Sequence, residues 1–330
     1  MSEALIEAGI GETRAIIVDR DGGIAEAHIE RDDGGWRAGD VREVRLTTIL
    51  VPGVRGIVGV GASEALLEPL PRTLTEGMTL RVEVVRAALA EAGRVRLAKA
   101  VATADPVRSG PDLAARLRAR GFALVEATAH GPDRFEAAGW SEAVEAALTG
   151  HVPFSGGSLT ISPTSAMTVI DVDGALPPVE LALAAADAAA AAIRRFDLTG
   201  SIGIDFPTVG DKAARTAIGA RLDAGLPPPF ERTAVNGFGF VQIVRPRSRA
   251  SLLERVHGKV VATASLALLR RAERSVGSGA RTLVAAAAVI AWLGDRPALQ
   301  DELATRLGTP VCLQADAALA ISAGYAACQP

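Results

Sequence analysis

Short runs of alternating apolar and polar residues dominate the first hundred positions of the chain. Residues 13–18 form one such run, residues 27–30 form a second, and the turn residues 21–23 lie between them, so the pattern predicts a β-hairpin. Residues 40–102 then hold several runs rich in Val, Ile and Thr, separated by turns. Short strands at this spacing predict a small closed barrel.

The pattern changes after the barrel. Residues 103–150 predict two short amphipathic helices around one strand, and residues 151–157 predict a turn-rich boundary. Towards the end of the chain, from residue 261 to residue 330, helical and strand-like runs alternate. This last pattern is typical of a small α/β lobe.

The most informative segment is a strand, a helix and a second strand. Residues 168–174 predict the first strand, an Ala-rich run from Pro177 to about Phe196 predicts the helix, and residues 201–206 predict the second strand. A connection of this kind and length normally returns a parallel neighbour in the same sheet.

Carboxylates mark the ends of both strands. Asp171 and Asp173 lie two residues apart, so they project from one face, and Asp205 would lie about 4.8 Å from Asp171 if the strands are adjacent. Such acids repel each other unless a cation lies between them. Oxygen ligands without Cys or His favour Mg²⁺, or else Mn²⁺, which suits phosphodiester hydrolysis. The alternative is that these acids only cap turns at the strand ends.

Composition excludes some classes of protein. The 330 residues are 49% hydrophobic, which excludes a wholly disordered chain, while a formal net charge of −3 does not decide for or against nucleic acid. The longest apolar run, Leu283 to Leu293, is much shorter than the ~20 residues of a membrane helix. No secretory signal begins the chain, so we expect a cytoplasmic protein without a membrane partner.

The sequence resembles the ribonuclease E/G family of endoribonucleases. Three segments carry the similarity: SGGSLTISPTSAMTVIDVDG at 155–174, RRFDLTGSIGIDF at 194–206 and NGFGFVQIVRPR at 236–247. The resemblance implies an α+β fold in four parts. These are an RNase-H-like half (1–38 with 103–151), an inserted S1/OB-type barrel (39–102), a DNase-I-like catalytic subdomain (152–260) and a small α/β C-terminal lobe (261–330).

The resemblance also implies an activity and a set of site residues. A member of this family would be a Mg²⁺-dependent endoribonuclease that cuts single-stranded RNA to 5′-phosphate and 3′-hydroxyl ends in RNA processing or turnover. Asp171 and Asp205 match the two catalytic metal ligands, and Asp173 stands where the family has a supporting Asn. Arg245 and Arg247 are candidates for contacts with RNA phosphates, since Arg binds phosphate in a bidentate manner.

The chain departs from the family pattern in ways that concern dimerisation and the RNA 5′ end. No cysteine occurs between Arg247 and Val260, so no zinc is expected, and any homodimer would lack a zinc link. Cys312 and Cys328 lie elsewhere, without His at ligand spacing. Gly237 replaces an Arg, and the connector before residue 150 is short, so the sensor of the 5′-monophosphate is expected to be lost or altered.

Further departures concern RNA binding and leave the function open. Ile57 and Leu67 stand near the places where the family barrel stacks bases on aromatic rings, and Ala182 and Ala184 replace acidic and amide residues of the helix. A weakened or slow nuclease is one interpretation. A non-catalytic RNA-binding or assembly protein on the same scaffold is the second. A nucleotide-binding α/β enzyme that uses the glycine-rich run 53–61 is the third.

Overall fold

A computed structural model describes residues 3–31, 34–91, 94–277 and 279–328. Its strands are β1 (Glu3–Ala8), β2 (Glu12–Val18), β3 (Ile24–Arg31), β4 (Val41–Val51), β5 (Arg55–Val60), β6 (Ser63–Leu67), β7 (Thr79–Arg86), β8 (Leu89–Glu91), β9 (Arg94–Arg96), β10 (Ala98–Ala102), β11 (Ala123–Glu126), β12 (His151–Phe154), β13 (Gly157–Pro163), β14 (Thr168–Gly174), β15 (Gly200–Asp205), β16 (Glu231–Arg232), β17 (Phe240–Arg245), β18 (Arg281–Ala285), β19 (Val311–Ala315) and β20 (Tyr325–Cys328). Its helices are α1 (Leu113–Ala119), α2 (Arg134–Ala137), α3 (Trp140–Thr149), α4 (Pro178–Arg195), α5 (Lys212–Gly225), α6 (Leu252–His257), α7 (Val260–Glu273), α8 (Ala287–Gly294) and α9 (Pro297–Leu307).

The chain forms two compact units. The terminal unit consists of Met1–Asp32, Gly121–Leu148 and Arg255–Pro330, and the central unit consists of Asp33–Arg120 and Thr149–Glu254. The mixed α+β class is confirmed, whereas the finer division into four named parts stays a prediction.

In the terminal unit, a four-stranded sheet has the order β11-β1-β2-β3. The expected hairpin is confirmed, because β2 and β3 pair antiparallel. Strand β1 was not among the predicted elements, although Gly9 and Gly11 follow it as turn residues before β2. Strand β1 pairs antiparallel with β2 on one side. On its other side it pairs in parallel with β11, which is distant in the sequence.

A network of buried charges lies inside the terminal unit. Glu12, 2% exposed at its side chain, accepts hydrogen bonds from Arg31 (2.9 Å) and Arg270 (2.5 Å). Glu7 accepts in the same way from Arg14 and Arg274. Burial alone would raise the pKa of Glu12, but Arg270 and Arg31 together lower it below its usual value. These ion pairs join the first hairpin to helix α7, so elements far apart along the chain share one charged core.

In the central unit, five strands close into a barrel in the order β10-β6-β5-β4-β7, which confirms the predicted barrel. Its interior consists of aliphatic side chains such as Leu46, Val58 and Val82, together with Trp36, which precedes β4 in the chain. Leu67, expected near a base-stacking place, is fully buried in this core, because β6 turns that side chain inward. The sequence from Gly39 to Ala102 contains no aromatic residue at all.

A six-stranded sheet of the central unit has the order β12-β13-β14-β15-β17-β16. Helix α4 packs on strands β12, β13 and β14, and helix α5 packs on α4. The segment 151–157, expected as a boundary, is instead the edge strand β12 and the start of β13, joined by a tight turn in which Gly156 has a φ of +94°. Glycine is required there because other residues rarely adopt a positive φ.

Within the residues that the structure describes, no helix is both long enough and apolar enough to cross a membrane.

Candidate active site

Two aspartates meet on neighbouring strands of the six-stranded sheet. Strands β14 and β15 pair in parallel through the crossover helix α4, and the register places Asp171 directly beside Asp205. Paired residues of adjacent strands lie about 4.8 Å apart between strand axes. The predicted parallel neighbour, and the predicted meeting of these two acids, are therefore confirmed.

Alternation along the two strands decides which face carries the acids. Ile170, Val172 and Ile204 are buried in the core, whereas the aspartates between or beside them are exposed. The acids thus project from the face opposite the buried one. In the part of the chain described, neither Asp171 nor Asp205 forms a side-chain hydrogen bond or ion pair, so both carboxylates are available to a ligand.

Asp173 shares this face but has a different neighbour. It lies two residues beyond Asp171 on β14, about 7 Å along the strand, and pairs with Ser158 of β13. Strand β15 ends at Asp205 and has no partner for Asp173. Among the described residues, no group of three or more His, Cys, Asp or Glu is arranged to hold a metal ion. The structure thus places two carboxylates side by side, and a third acid, Asp173, lies two residues further along β14.

The pair suits a hard divalent cation. Mg²⁺ is commonly bound by one or two carboxylates, with waters and substrate phosphates completing its shell, so it does not require three protein ligands. Hydroxyl groups also face the same side of the sheet, because Thr160 pairs with Asp171 and Ser158 with Asp173. Helix residues Ala182 and Ala184 add nothing to this face, since α4 packs on the sheet's other side.

The two candidate arginines lie away from the acids. Arg245 pairs with Gly200 at the far end of β15, five residues from Asp205 or about 17 Å. It donates a hydrogen bond to the carbonyl oxygen of Leu198 (2.7 Å), and Arg247 forms an ion pair with Glu254. Both guanidinium groups therefore stabilise the fold around the end of α4, and their contact with RNA phosphates stays a prediction.

A tight loop beside Asp205 was not predicted as part of the site. The loop runs from Asn236 to Phe240, and Phe240 pairs with Asp205 in the sheet register. The side-chain oxygen of Asn236 accepts hydrogen bonds from the backbone N–H groups of Phe238 (2.9 Å) and Phe240 (3.0 Å). The Asn-Gly dipeptide at 236–237 is the sequence signal that could have indicated this turn.

A closed five-stranded barrel and an acid-bearing sheet within one unit define a mixed α+β protein, and its barrel has the strand number of an OB-fold. The sequence profile of the Ribonuclease E/G family matches residues 69–248, more than half of the chain. The protein therefore belongs to the ribonuclease E/G family, which makes it a ribonuclease-type hydrolase with RNA as the implied substrate. The matched segment contains the whole acid-bearing sheet and two barrel strands. No curated protein matches the sequence.

Proposed function

We propose that this protein is a Mg²⁺-dependent endoribonuclease that hydrolyses single-stranded RNA to 5′-phosphate and 3′-hydroxyl ends. The observation that carries the proposal is the register of β14 and β15, which sets Asp171 beside Asp205 on an exposed face. Family membership supplies the substrate class.

In this proposal the chain's own residues bind and orient the reactants. Asp171 and Asp205 would hold Mg²⁺, which lowers the pKa of a bound water and neutralises charge on the phosphate. Asp173, further along the same face, would orient or supplement the site. The hydroxyls of Thr160 and Ser158 lie beside these acids and can donate hydrogen bonds to the RNA backbone.

Cleavage of a labelled single-stranded RNA tests the proposal, with Mg²⁺ and with EDTA. Asp171→Asn and Asp205→Asn are each expected to lower the rate at least about 100-fold, because loss of one ligand removes several kcal/mol of transition-state stabilisation. Asp173→Asn is expected to have a smaller effect. Asp187→Asn is the matched control, since Asp187 is an exposed acid of α4 that pairs with Arg221 outside the acid face.

The chemistry of the product ends makes the test sharper. Ends with a 5′-phosphate and a 3′-hydroxyl support hydrolysis at the acid pair, whereas a 2′,3′-cyclic phosphate would indicate attack by the ribose hydroxyl and refute the proposal. Cleavage that persists at the wild-type rate in Asp171→Asn and Asp205→Asn would refute it as well.

The aromatic-free barrel favours a second candidate, a non-catalytic RNA-binding protein. Base stacking contributes about 1 to 3 kcal/mol per base, so a barrel whose residues 39–102 include no aromatic side chain offers less affinity for a single strand. RNA binding without metal-dependent cutting in the same assay would support this second candidate.

A further inference from the structure

Phe238 is an aromatic side chain in an unusual position. It is 82% exposed, the highest value among the aromatic residues of the described chain, and Tyr325 follows at 49%. Of the six other aromatic residues of the central unit, Trp36, Phe196 and Phe206 are buried and the remaining three are half-buried. A large apolar ring that leaves the core and faces water usually marks a binding surface.

The backbone around Phe238 is held in place without help from the ring. Asn236 accepts the two hydrogen bonds described above, and the N–H of Gly239 donates to the carbonyl oxygen of Asn236 (3.1 Å). Gly239 has a φ of +93°, and a Cβ there would lie 2.2 Å from the carbonyl oxygen of Phe206. These hydrogen bonds and the conformation of Gly239 therefore hold the 236–240 loop in place. The ring of Phe238 is exposed to solvent before any ligand binds.

The 236–240 loop lies next to the acid pair. The N–H of Phe206, the residue after Asp205, donates to the carbonyl oxygen of Gly239 (3.2 Å). Phe240 lies across Gly203, where a Cβ would come within 2.7 Å of the Phe240 ring. The Cα of Phe238 is at most about 8 Å from that of Phe240 along the chain. The ring of Phe240 thus lies beside Asp205, and the exposed Phe238 is two residues away along the chain.

The surroundings favour a small flat ligand over a protein partner. The two residues before Phe238, Asn236 and Gly237, are exposed and not apolar. The exposed Thr208 donates a hydrogen bond to the carbonyl oxygen of Phe238 (3.5 Å), so no exposed apolar side chain adjoins Phe238 along this loop. A stable protein interface buries about 800 Å² on each partner, whereas a single aromatic side chain offers about 150 to 250 Å². A nucleobase matches the size and the π-face of one such ring.

We propose that Phe238 is a stacking site for a nucleobase of the RNA strand, next to the phosphate bound at Asp171 and Asp205. The inference rests on the proposed function and deepens it, because it assigns base contact to the sheet rather than to the aromatic-free barrel. Stacking accepts any base, so this site would position the strand without reading its sequence.

Fluorescence of 2-aminopurine tests the stacking directly. The probe is a set of short oligoriboadenylates, each with one 2-aminopurine at a different position, bound to the full chain in EDTA so that no hydrolysis occurs. We expect quenching at one position, and we expect Phe238→Ala to remove that quenching and to weaken binding about 5- to 150-fold.

Two further variants separate stacking from mere apolar contact. Phe238→Trp is expected to bind at least as tightly as the wild type, because it keeps a π-face. Phe238→Leu keeps apolar volume but has no ring, so it is expected to behave like Phe238→Ala. Equal binding by the wild type, Phe238→Leu and Phe238→Ala would overturn the proposal.

The outcomes distinguish this inference from the proposed function. Wild-type cleavage of RNA combined with unchanged binding by Phe238→Ala would refute the stacking site alone. A wild-type chain that neither binds nor cuts RNA would refute both. Loss of a dimer in sedimentation velocity on Phe238→Ala, without loss of quenching, would assign the ring to self-association and likewise refute the stacking site.

Discussion

Removing the charge of Glu12 is expected to destabilise the terminal unit strongly. Its carboxylate binds Arg31 and Arg270, whose side chains are only 5% and 10% exposed, so Glu12→Gln leaves two buried guanidinium groups facing a neutral amide. Breaking a buried ion pair from one side costs about 3 to 5 kcal/mol. Arg31 also donates to the carbonyl oxygen of Arg255 and to Thr263 Oγ1, which compensates part of the loss. We therefore expect a loss of about 3 kcal/mol in the free energy of unfolding.

Urea unfolding, followed by circular dichroism and by the fluorescence of the buried Trp140, measures this change. A loss of about 3 kcal/mol corresponds to roughly 10 °C in the melting temperature of a unit of this size. Glu3→Gln is the matched control, since Glu3 lies exposed on the neighbouring strand β1 and should change stability by less than about 0.5 kcal/mol.

The pH dependence of the same variant has a definite sign. The pKa of Glu12 is lowered by folding, so its contribution is fully present above the unfolded value of 4.5 and is lost as pH falls through the lower folded value. The difference in unfolding free energy between wild type and Glu12→Gln should therefore narrow as the pH falls below 4.5. A gap below about 1 kcal/mol at pH 7, or one that widens in acid, would refute the role of this network.

Two further predictions concern the central unit. Gly239→Ala should destabilise the unit by about 1 to 3 kcal/mol in urea unfolding, because the new Cβ would clash with the Phe206 carbonyl oxygen and residue 239 has a positive φ. An unchanged urea midpoint would contradict the structural role of Gly239 in the 236–240 loop. Asp40→Asn should cost about 1.5 to 3 kcal/mol, since this buried carboxylate accepts from the N–H groups of Gly110 (2.7 Å) and Arg37 (3.0 Å). Burial opposes ionisation, yet these hydrogen bonds hold the pKa of Asp40 below 3.8, so the loss should shrink when unfolding is repeated in acid.

Much of the central unit could be predicted from local pattern. Alternation and turn residues indicated the barrel strands, and the Ala-rich helix between two apolar strands indicated the parallel pair that brings Asp171 to Asp205. These features depend on short periods and on the length of one connection, which a single sequence records directly.

Contacts between distant segments were not predictable in this way. Strand β1 pairs on one side with β2, which follows it in the chain, but on the other side with β11, more than a hundred residues later. The partners of Glu12 lie on β3 and α7, and nothing in the spacing of charges along the chain identifies them. Leu67 was expected near a binding surface, but its direction depends on the register of β6 in the barrel.

The class of fold, the two acid-bearing strands and the family follow from the order of the amino acids, because periodicity and motif order are local properties. Tertiary structure alone decided which side chains face water. Leu67 faces the barrel core, and Arg245 and Arg247 bind partners within the protein. Phe238 is exposed, in the loop next to Asp205. The physical reason is that exposure is set by whatever packs against a residue, and here those neighbours come from distant parts of the chain.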